Sequence, residues 1–218
     1  MRAVRWAAIC AAGSMLLADG LTARAGDARE GAIMPVSQAL CDDMKNHNVI
    51  RAGAPVGCER LDLIKFSYLG FDGAVHDGGE IMVMDAAAES VLRIFTKLRE
   101  IRFPIAKARL INHYNGDDDA SIADNNTSAF NSRNVAGTNT LSLHAYGLAI
   151  DINPVQNPYI KGKLTLPPDA KYDPKAPGTL TEDHSVTKAF LARGWEWGGN
   201  WKSLKDYQHF EKPAKSAK

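Results

Sequence analysis

Two histidines and two aspartates stand in two short motifs that are far apart in the chain. Six residues separate His144 from Asp151, and Asp206 precedes His209 by three positions. Two imidazoles and one carboxylate suit zinc, and three protein ligands leave the fourth position of a tetrahedral site to water, as in catalytic zinc sites. From these residue types alone, a second interpretation is equally good. In it, His144 and His209 are half-buried structural histidines, and Asp151 is a turn or cap residue.

The sequence around Asp151 predicts that its carboxylate lies in a strand. In a strand of period two, one row of side chains would form an apolar core face, which consists of Leu148, Ile150 and Ile152. Gly147 and Ala149 would share the opposite face with Asp151 and leave room beside the carboxylate for a metal, a water and a substrate. Because burial of an unpaired ionised carboxylate is costly, this interpretation requires a cation near Asp151.

Asp206 is the candidate general base. A bound zinc ion lowers the pKa of its water toward neutrality, and Asp206 would accept the proton of that water and pass it to the leaving amine. Residues three apart point to opposite faces of a strand. Asp206 must therefore lie in a turn or loop that enters the strand carrying His209, if both side chains are to face one site.

The N-terminal residues have the pattern of an export signal. Arg2 and Arg5 precede an apolar stretch over residues 6–17, and Ala23-Arg24-Ala25 forms a small-x-small cleavage site. We predict a signal peptide over residues 1–25 and an exported protein, periplasmic or secreted. No other stretch reaches the roughly 20 apolar residues that a membrane span needs, so we predict no transmembrane segment in the mature chain.

The cysteines predict one disulfide. Cys10 lies in the predicted signal peptide, and Cys41 and Cys58 remain as a pair. In an oxidising compartment such a pair is expected to form a disulfide, although spacing alone is also compatible with two unrelated buried thiols. We predict that residues 26–60 form an N-terminal helical segment that packs on the main domain and contains this Cys41–Cys58 bridge.

The charge balance argues against nucleic acid as a partner. The net charge of the whole chain is +1, and it falls to about −1 without residues 1–25, which contain three arginines and one aspartate. A phosphate-binding face normally brings clustered lysines and arginines and a high pI. We therefore predict no nucleic-acid partner.

The apolar periodicity predicts an α+β fold in a single domain. Helices are predicted over residues 36–44, over 85–104 with Asp85 as N-cap, and around 186–190, and strands over 61–68, 80–84, 105–111, 147–152 and 207–211. This order favours a mainly antiparallel sheet flanked by helices over regular βαβ repeats. Prolines crowd residues 153–178 and predict a long loop, which is either a rim of the site or an ordinary surface loop.

Two motifs resemble those of a known family. The residues from Ser142 to Asp151, SLHAYGLAID, and those from Asp206 to Phe210, DYQHF, are similar to the signature of the D-alanyl-D-alanine carboxypeptidase and L-alanyl-D-glutamate endopeptidase family. These bacterial zinc peptidases are related to the VanY and VanX enzymes and to phage endolysins, and they share a fold with the Hedgehog signalling domain. The resemblance extends from about Leu61 to Glu211 and includes residues 124–133 and 194–199.

The resemblance implies roles for individual residues. It implies that His144, Asp151 and His209 bind zinc, one ion per chain, and that Asp206 is the catalytic acid and base. Some relatives have glutamate in place of Asp206, and because aspartate is one methylene shorter, it must approach the metal more closely. Arg133 falls where relatives have an arginine that could bind a substrate carboxylate or stabilise the oxyanion. The alternative for Arg133 is a surface salt bridge.

The resemblance also implies a function. It implies that residues 61–218 form a zinc D,D-peptidase-like catalytic domain of the Hedgehog/DD-peptidase fold, which hydrolyses peptidoglycan stem peptides. The bond would be either D-Ala-D-Ala or L-Ala-D-Glu, and the partner would be peptidoglycan or a muropeptide. The alternative is a non-catalytic cell-wall-binding module that retains the fold, against which Asp206 argues. A third interpretation is glycan cleavage by two facing carboxylates, but no sequence feature singles out such a pair.

Overall fold

The structure is a computed structural model, and it describes residues 31–213. The predicted signal peptide, residues 1–25, lies outside the described residues. The helices are α1 (Gln38–Asn46), α2 (Asp85–Glu100), α3 (Asp118–Ala123) and α4 (Ser185–Leu191). The strands are β1 (Ala32–Pro35), β2 (Leu61–Leu69), β3 (Val75–Met84), β4 (Lys107–Ala108), β5 (Asn126–Thr127), β6 (Ala149–Asp151), β7 (Tyr159–Lys161), β8 (Leu164–Leu166), β9 (Glu196–Trp197), β10 (Lys205–Asp206) and β11 (His209–Glu211).

The strands form several small sheets. Three of these sheets are three-stranded and antiparallel, with the orders β1-β2-β3, β6-β11-β9 and β10-β7-β8. Strands β4 and β5 form a parallel pair. The predicted α+β class with mainly antiparallel pairing is confirmed, and the antiparallel strands are divided among three sheets.

Helix α2 supplies the apolar side of the main core. Its buried face has helical spacing and includes Val91, Ile94, Phe95 and Leu98. This face packs against β2, where Phe66 contacts Phe95 with ring centroids 4.3 Å apart. The same core contains apolar residues from the strands near the predicted site, namely Ile150, Ile152 and Phe210. The strands that carry Asp151 and His209 are therefore held in place by the packing of their apolar neighbours in the main core.

Several element boundaries differ from those predicted. Helix α2 begins at Asp85, but its N-cap is Met84, so Asp85 is the first helical residue rather than the cap. The predicted strand over 105–111 is a strand only at β4, because the chain turns into a 3-10 helix at Ile111–Tyr114. β1, which the periodicity did not predict, pairs with β2 and joins the N-terminal segment to the main sheet.

The N-terminal segment is also held covalently. Cys41 of α1 and Cys58 form a disulfide with Cα atoms 5.9 Å apart, so this prediction is confirmed. Met44 of α1 lies in a second buried cluster with Leu61 and Phe130.

Among the described residues, no helix is long and apolar enough to cross a membrane.

Candidate metal centre and active site

Asp151 and His209 lie directly opposite each other on neighbouring strands. β6 and β11 pair antiparallel, and their register aligns the Cα atoms of Asp151 and His209. Residues directly opposite in an antiparallel pair point to the same face. His209 Nδ1 lies 2.9 Å from Asp151 Oδ1. On its other side, Asp151 exchanges two backbone hydrogen bonds with Ser128, at 2.8 and 3.0 Å. The backbone of Asp151 is therefore hydrogen-bonded on both sides of β6, which fixes the position of its carboxylate.

His144 reaches the same point from a 3-10 helix. This helix, Leu143–Tyr146, is capped by Ser142, whose side chain accepts a hydrogen bond from the His144 backbone N–H. His144 Nε2 lies 3.2 Å from Asp151 Oδ2 and 3.3 Å from His209 Nδ1. The two distant motifs of the sequence therefore meet, with three buried side chains around one point.

The predicted role of Gly147 is wrong. Strand β6 begins only at Ala149, and Gly147 ends the 3-10 helix with φ +67°. A Cβ on Gly147 would lie 2.5 Å from Met84 N, so glycine is required here for contact with the main sheet and does not line the site. Ala149 lies in β6, as predicted, and is fully buried.

In each imidazole, the ring nitrogen that points away from Asp151 donates a hydrogen bond. His144 Nδ1 donates to Ala129 O, and His209 Nε2 donates to Glu211 Oε2 at 3.1 Å. Hydrogen bonds of this kind fix which ring nitrogen is free to bind a metal. His144 Nε2 and His209 Nδ1 are then the nitrogens that face Asp151.

The three facing groups fit a zinc ion. The two imidazole nitrogens are 3.3 Å apart, and each lies close to one oxygen of Asp151, His209 Nδ1 at 2.9 Å from Oδ1 and His144 Nε2 at 3.2 Å from Oδ2. With zinc–ligand distances of about 2.0 to 2.1 Å, the edges of a ligand tetrahedron measure about 3.3 to 3.4 Å. Two imidazole nitrogens and a carboxylate oxygen are also ligands that zinc accepts. His144, Asp151 and His209 could therefore hold such an ion, since one ligand atom from each lies within 4.8 Å of the other two.

The electrostatics of the three groups favour a positive charge at their centre. Burial by itself would raise the pKa of Asp151, but His144 and His209 outweigh it and hold this pKa well below its usual range. Burial likewise opposes a charged His209, but hydrogen bonds to Asp151 and Glu211 raise its pKa to about 10. The carboxylate therefore stays ionised, and a metal ion bound at this point would take the place of the proton that His209 otherwise holds.

Asp206 stands next to this cluster. It lies in β10, and the turn of Tyr207 and Gln208 separates it from His209 in β11. Although Asp206 is partly exposed as a residue, its Oδ1 is enclosed and has no hydrogen-bond partner among residues 31–213. Burial, together with the charge of Asp151, raises the pKa of Asp206 to about 6, against the opposing effect of His209. Such a carboxylate is suited to accept a proton.

The proline-rich segment is more ordered than the sequence predicted. Instead of a plain loop, residues 153–178 contain the hairpin β7–β8, and β7 pairs with β10 so that Tyr159 lies opposite Asp206. The segment is a rim of the site, because it forms the sheet that holds the candidate base.

Two asparagines that the sequence analysis missed anchor this rim. The Asn157 side chain donates to three backbone carbonyls and accepts from Leu180 N at 2.7 Å. Asn153 has φ +47°, and its side chain bonds the backbone at Pro104 and Ala106. Both asparagines are fully buried. In the sequence these residues appear only as asparagines among prolines. Because this composition is typical of any turn, it does not reveal their anchoring role.

The backbone of Arg133 lies next to the helix that carries His144, and its side chain is held in an ion pair. Its backbone carbonyl accepts a hydrogen bond from Ser142 N, next to the helix that carries His144. One guanidinium nitrogen lies 2.8 Å from Asp118 Oδ2, and the side chain is only 18% exposed. The salt bridge that the sequence left as an alternative is thus present. Nε of Arg133 is enclosed and has no partner within the described part of the chain.

The tryptophans divide between the core and the site. Trp195 and Trp197 are buried in the main core. Trp201 is partly exposed, and its ring centroid lies 5.4 Å from that of His209.

Glu211, which the sequence analysis also missed, shares a face with His209 because the two residues are two apart in β11.

The chain was compared with known proteins. No solved structure matches it. A family model described as D-alanyl-D-alanine carboxypeptidase matches residues 136–212. The matched segment contains His144, Asp151, Asp206 and His209, while Arg133 lies just before it. Over residues 136–212 the chain therefore has the sequence pattern of the D-alanyl-D-alanine carboxypeptidase family, which supports the resemblance seen in its two motifs.

Proposed function

We propose that the protein is a zinc metallopeptidase that hydrolyses the stem peptide of peptidoglycan. It would act as a D,D-carboxypeptidase on D-Ala-D-Ala or as an endopeptidase at L-Ala-D-Glu. The observation that carries this proposal is the convergence of His144, Asp151 and His209 beside the enclosed carboxylate of Asp206, within the segment that matches the family.

The ligand residues would hold the metal, and Asp206 would move the proton. When bound, zinc polarises the scissile carbonyl and makes a water acidic enough to attack at neutral pH. Asp206 accepts the proton of the attacking water at Oδ1, the oxygen that has no partner within residues 31–213. Its raised pKa then allows it to donate this proton to the leaving amine, which departs as the peptide bond breaks.

Arg133 would act on the substrate. The ion pair with Asp118 holds its guanidinium in one place. A planar guanidinium of this kind binds carboxylates with two parallel hydrogen bonds and also stabilises developing negative charge. In this proposal Arg133 supports either the terminal carboxylate of the substrate or the oxyanion at the scissile carbonyl.

We further propose that the protein is exported to the periplasm or secreted. The sequence of residues 1–25 supports export. The Cys41–Cys58 disulfide also supports it, because such bonds persist in oxidising compartments. Peptidoglycan is accessible there.

Digestion of defined substrates tests the proposed function. Purified, zinc-loaded protein is incubated with a peptide ending in D-Ala-D-Ala and with muropeptides that contain L-Ala-D-Glu, and the products are identified by mass spectrometry. We expect cleavage of one bond type, its loss after zinc is removed with a chelator, and its return when zinc is added back. If both substrates remain intact while the protein binds sacculi, the function is that of a binding module.

A further inference from the structure

We propose that Glu211 is a positioning residue of the metal centre, which holds His209 with Nδ1 facing Asp151. This inference rests on the proposed metal centre and adds a residue to it. Glu211 Oε2 lies 3.1 Å from His209 Nε2, on the side of the ring away from His144 and Asp151. The carboxylate therefore contacts the ligand and not the proposed position of the ion.

The geometry determines which nitrogen of His209 is free. A carboxylate can only accept a hydrogen bond, so Nε2 of His209 must carry a proton in this contact. The neutral imidazole then has its lone pair on Nδ1, the atom that lies 2.9 Å from Asp151 Oδ1. Without an acceptor at Nε2, the neutral ring is free to place its proton on Nδ1, where it blocks metal binding.

Glu211 also limits rotation of the ring. The His209 side chain is 8% exposed and the Glu211 side chain 23%, so the hydrogen bond is partly shielded from water. The Trp201 ring adds a further contact, with its centroid 5.4 Å from that of His209. Carboxylates that accept from the outer nitrogen of a histidine ligand orient the ring and increase its basicity.

The strand itself gives no reason for a glutamate at this position. Glutamate is depleted in strands, and the register places Glu211 directly opposite Glu196 of β9. Like charges in directly opposite positions destabilise a strand pair. The favourable contact of the Glu211 carboxylate is the one with His209, which points to a role at the centre and not in sheet stability.

Zinc affinity tests the proposal without a need for activity. Metal-free full-length protein is titrated with zinc in competition with a chromophoric chelator, and E211A, E211Q and the control E196Q are compared with the wild type. Loss of such a partner weakens metal binding by roughly 10- to 100-fold, and we expect this for E211A. Glutamine retains a carbonyl acceptor, so E211Q should lose less. E196Q removes a carboxylate from the opposite position and should bind zinc as the wild type does.

Thermal melts with and without zinc separate positioning from a structural role. A positioning role predicts that the metal-free form of E211A melts close to the wild type, while the increase in melting temperature caused by zinc is reduced. If E211A does not fold, E211Q gives the test, with a reduced zinc affinity as the expected result. Wild-type zinc affinity within twofold in the folded variants would overturn the proposal. Failure of the wild type to bind zinc would instead refute the metal centre of the proposed function.

Discussion

The two halves of the candidate site differ in how completely their polar groups are paired. In the ligand half, His144, Asp151 and His209 are buried, and each makes close contacts with the other two. In the base half, Asp206 is partly exposed and one of its oxygens has no partner among the described residues. The comparison indicates that one half is fixed to hold an ion, while the other keeps an acceptor available for a proton.

The halves are also anchored differently. The ligand half continues into the main core through Ile150 and Phe210, whose neighbours in the strands are the ligands. The base half depends on β7, in a segment held by hydrogen bonds from asparagine side chains and by the stacking of Tyr172 on Tyr207. We therefore expect that a variant can damage one half while the other remains intact.

The largest effect is expected from removing a ligand. D151A should lose stoichiometric zinc, and its hydrolytic rate should fall at least about 10⁴-fold, to the background, because the Lewis acid is gone. Zinc content by atomic emission and product release by chromatography provide the measurement. D183N is a matched control, since the Asp183 side chain is 97% exposed. Full activity of D151A without zinc would contradict the assignment of the ligand half.

Removal of the base should affect catalysis but not metal binding. D206N is expected to retain one zinc per chain and to lose kcat by roughly 10²- to 10⁴-fold, the usual contribution of a general base. Steady-state kinetics on the cleaved substrate measure this loss, again with D183N as control. If D206N loses its zinc as well, the two halves are not independent.

The pH dependence should reflect the environment of Asp206. Its ionised form is the one that accepts a proton, and burial raises its pKa to about 6. A bound cation would lower this pKa, so kcat/KM should decrease about tenfold per pH unit below a midpoint at or below pH 6. Rates between about pH 4.5 and 8, with zinc content checked at each pH, measure this limb. A midpoint above pH 7 would exclude Asp206 as the group responsible.

A variant of the rim should weaken the base half alone. N157A leaves Leu180 N and the carbonyls at Ile152 and Gly178 without their partner, which should lower the free energy of unfolding by about 2 to 4 kcal/mol. Displacement of β7 should reduce kcat several-fold, while zinc affinity changes little. Chemical denaturation, kinetics and zinc titration are measured on one preparation. An equal loss of zinc affinity would show that the rim also supports the ligands.

The smallest effect on activity is expected from the disulfide. Cys41 and Cys58 close a loop with a sequence separation of 17, and their loss in C41S/C58S should cost about 3 kcal/mol of stability. The bridge lies in the N-terminal segment, so kcat and zinc affinity should remain close to wild type below the melting temperature. A loss of zinc in the folded variant would mean that this segment supports the metal centre.

The sequence predicts those features that depend on local pattern. The stripe of α2 is visible because apolar residues such as Val91 and Phe95 recur at helical spacing. The prediction of a cation near Asp151 follows from a carboxylate between the apolar residues Ile150 and Ile152, since such a charge needs a partner.

The features that the sequence does not predict depend on long-range contacts. Gly147 fits a strand pattern, but contact with Met84, far away in sequence, decides its role. The hairpin β7–β8 is hidden by the prolines around it, and its pairing with β10 joins segments more than 40 residues apart. Asn157 acts through backbone groups that no side-chain pattern reveals.

One paired measurement tests the central claim most directly: zinc content and cleavage rate determined on the same samples of wild type and D206N. The account predicts one zinc per chain in both proteins, with hydrolysis of a D-Ala-D-Ala or L-Ala-D-Glu bond by the wild type and little or none by D206N. Zinc-loaded wild type that leaves both bonds intact, or zinc-loaded D206N that cleaves at the wild-type rate, would contradict it.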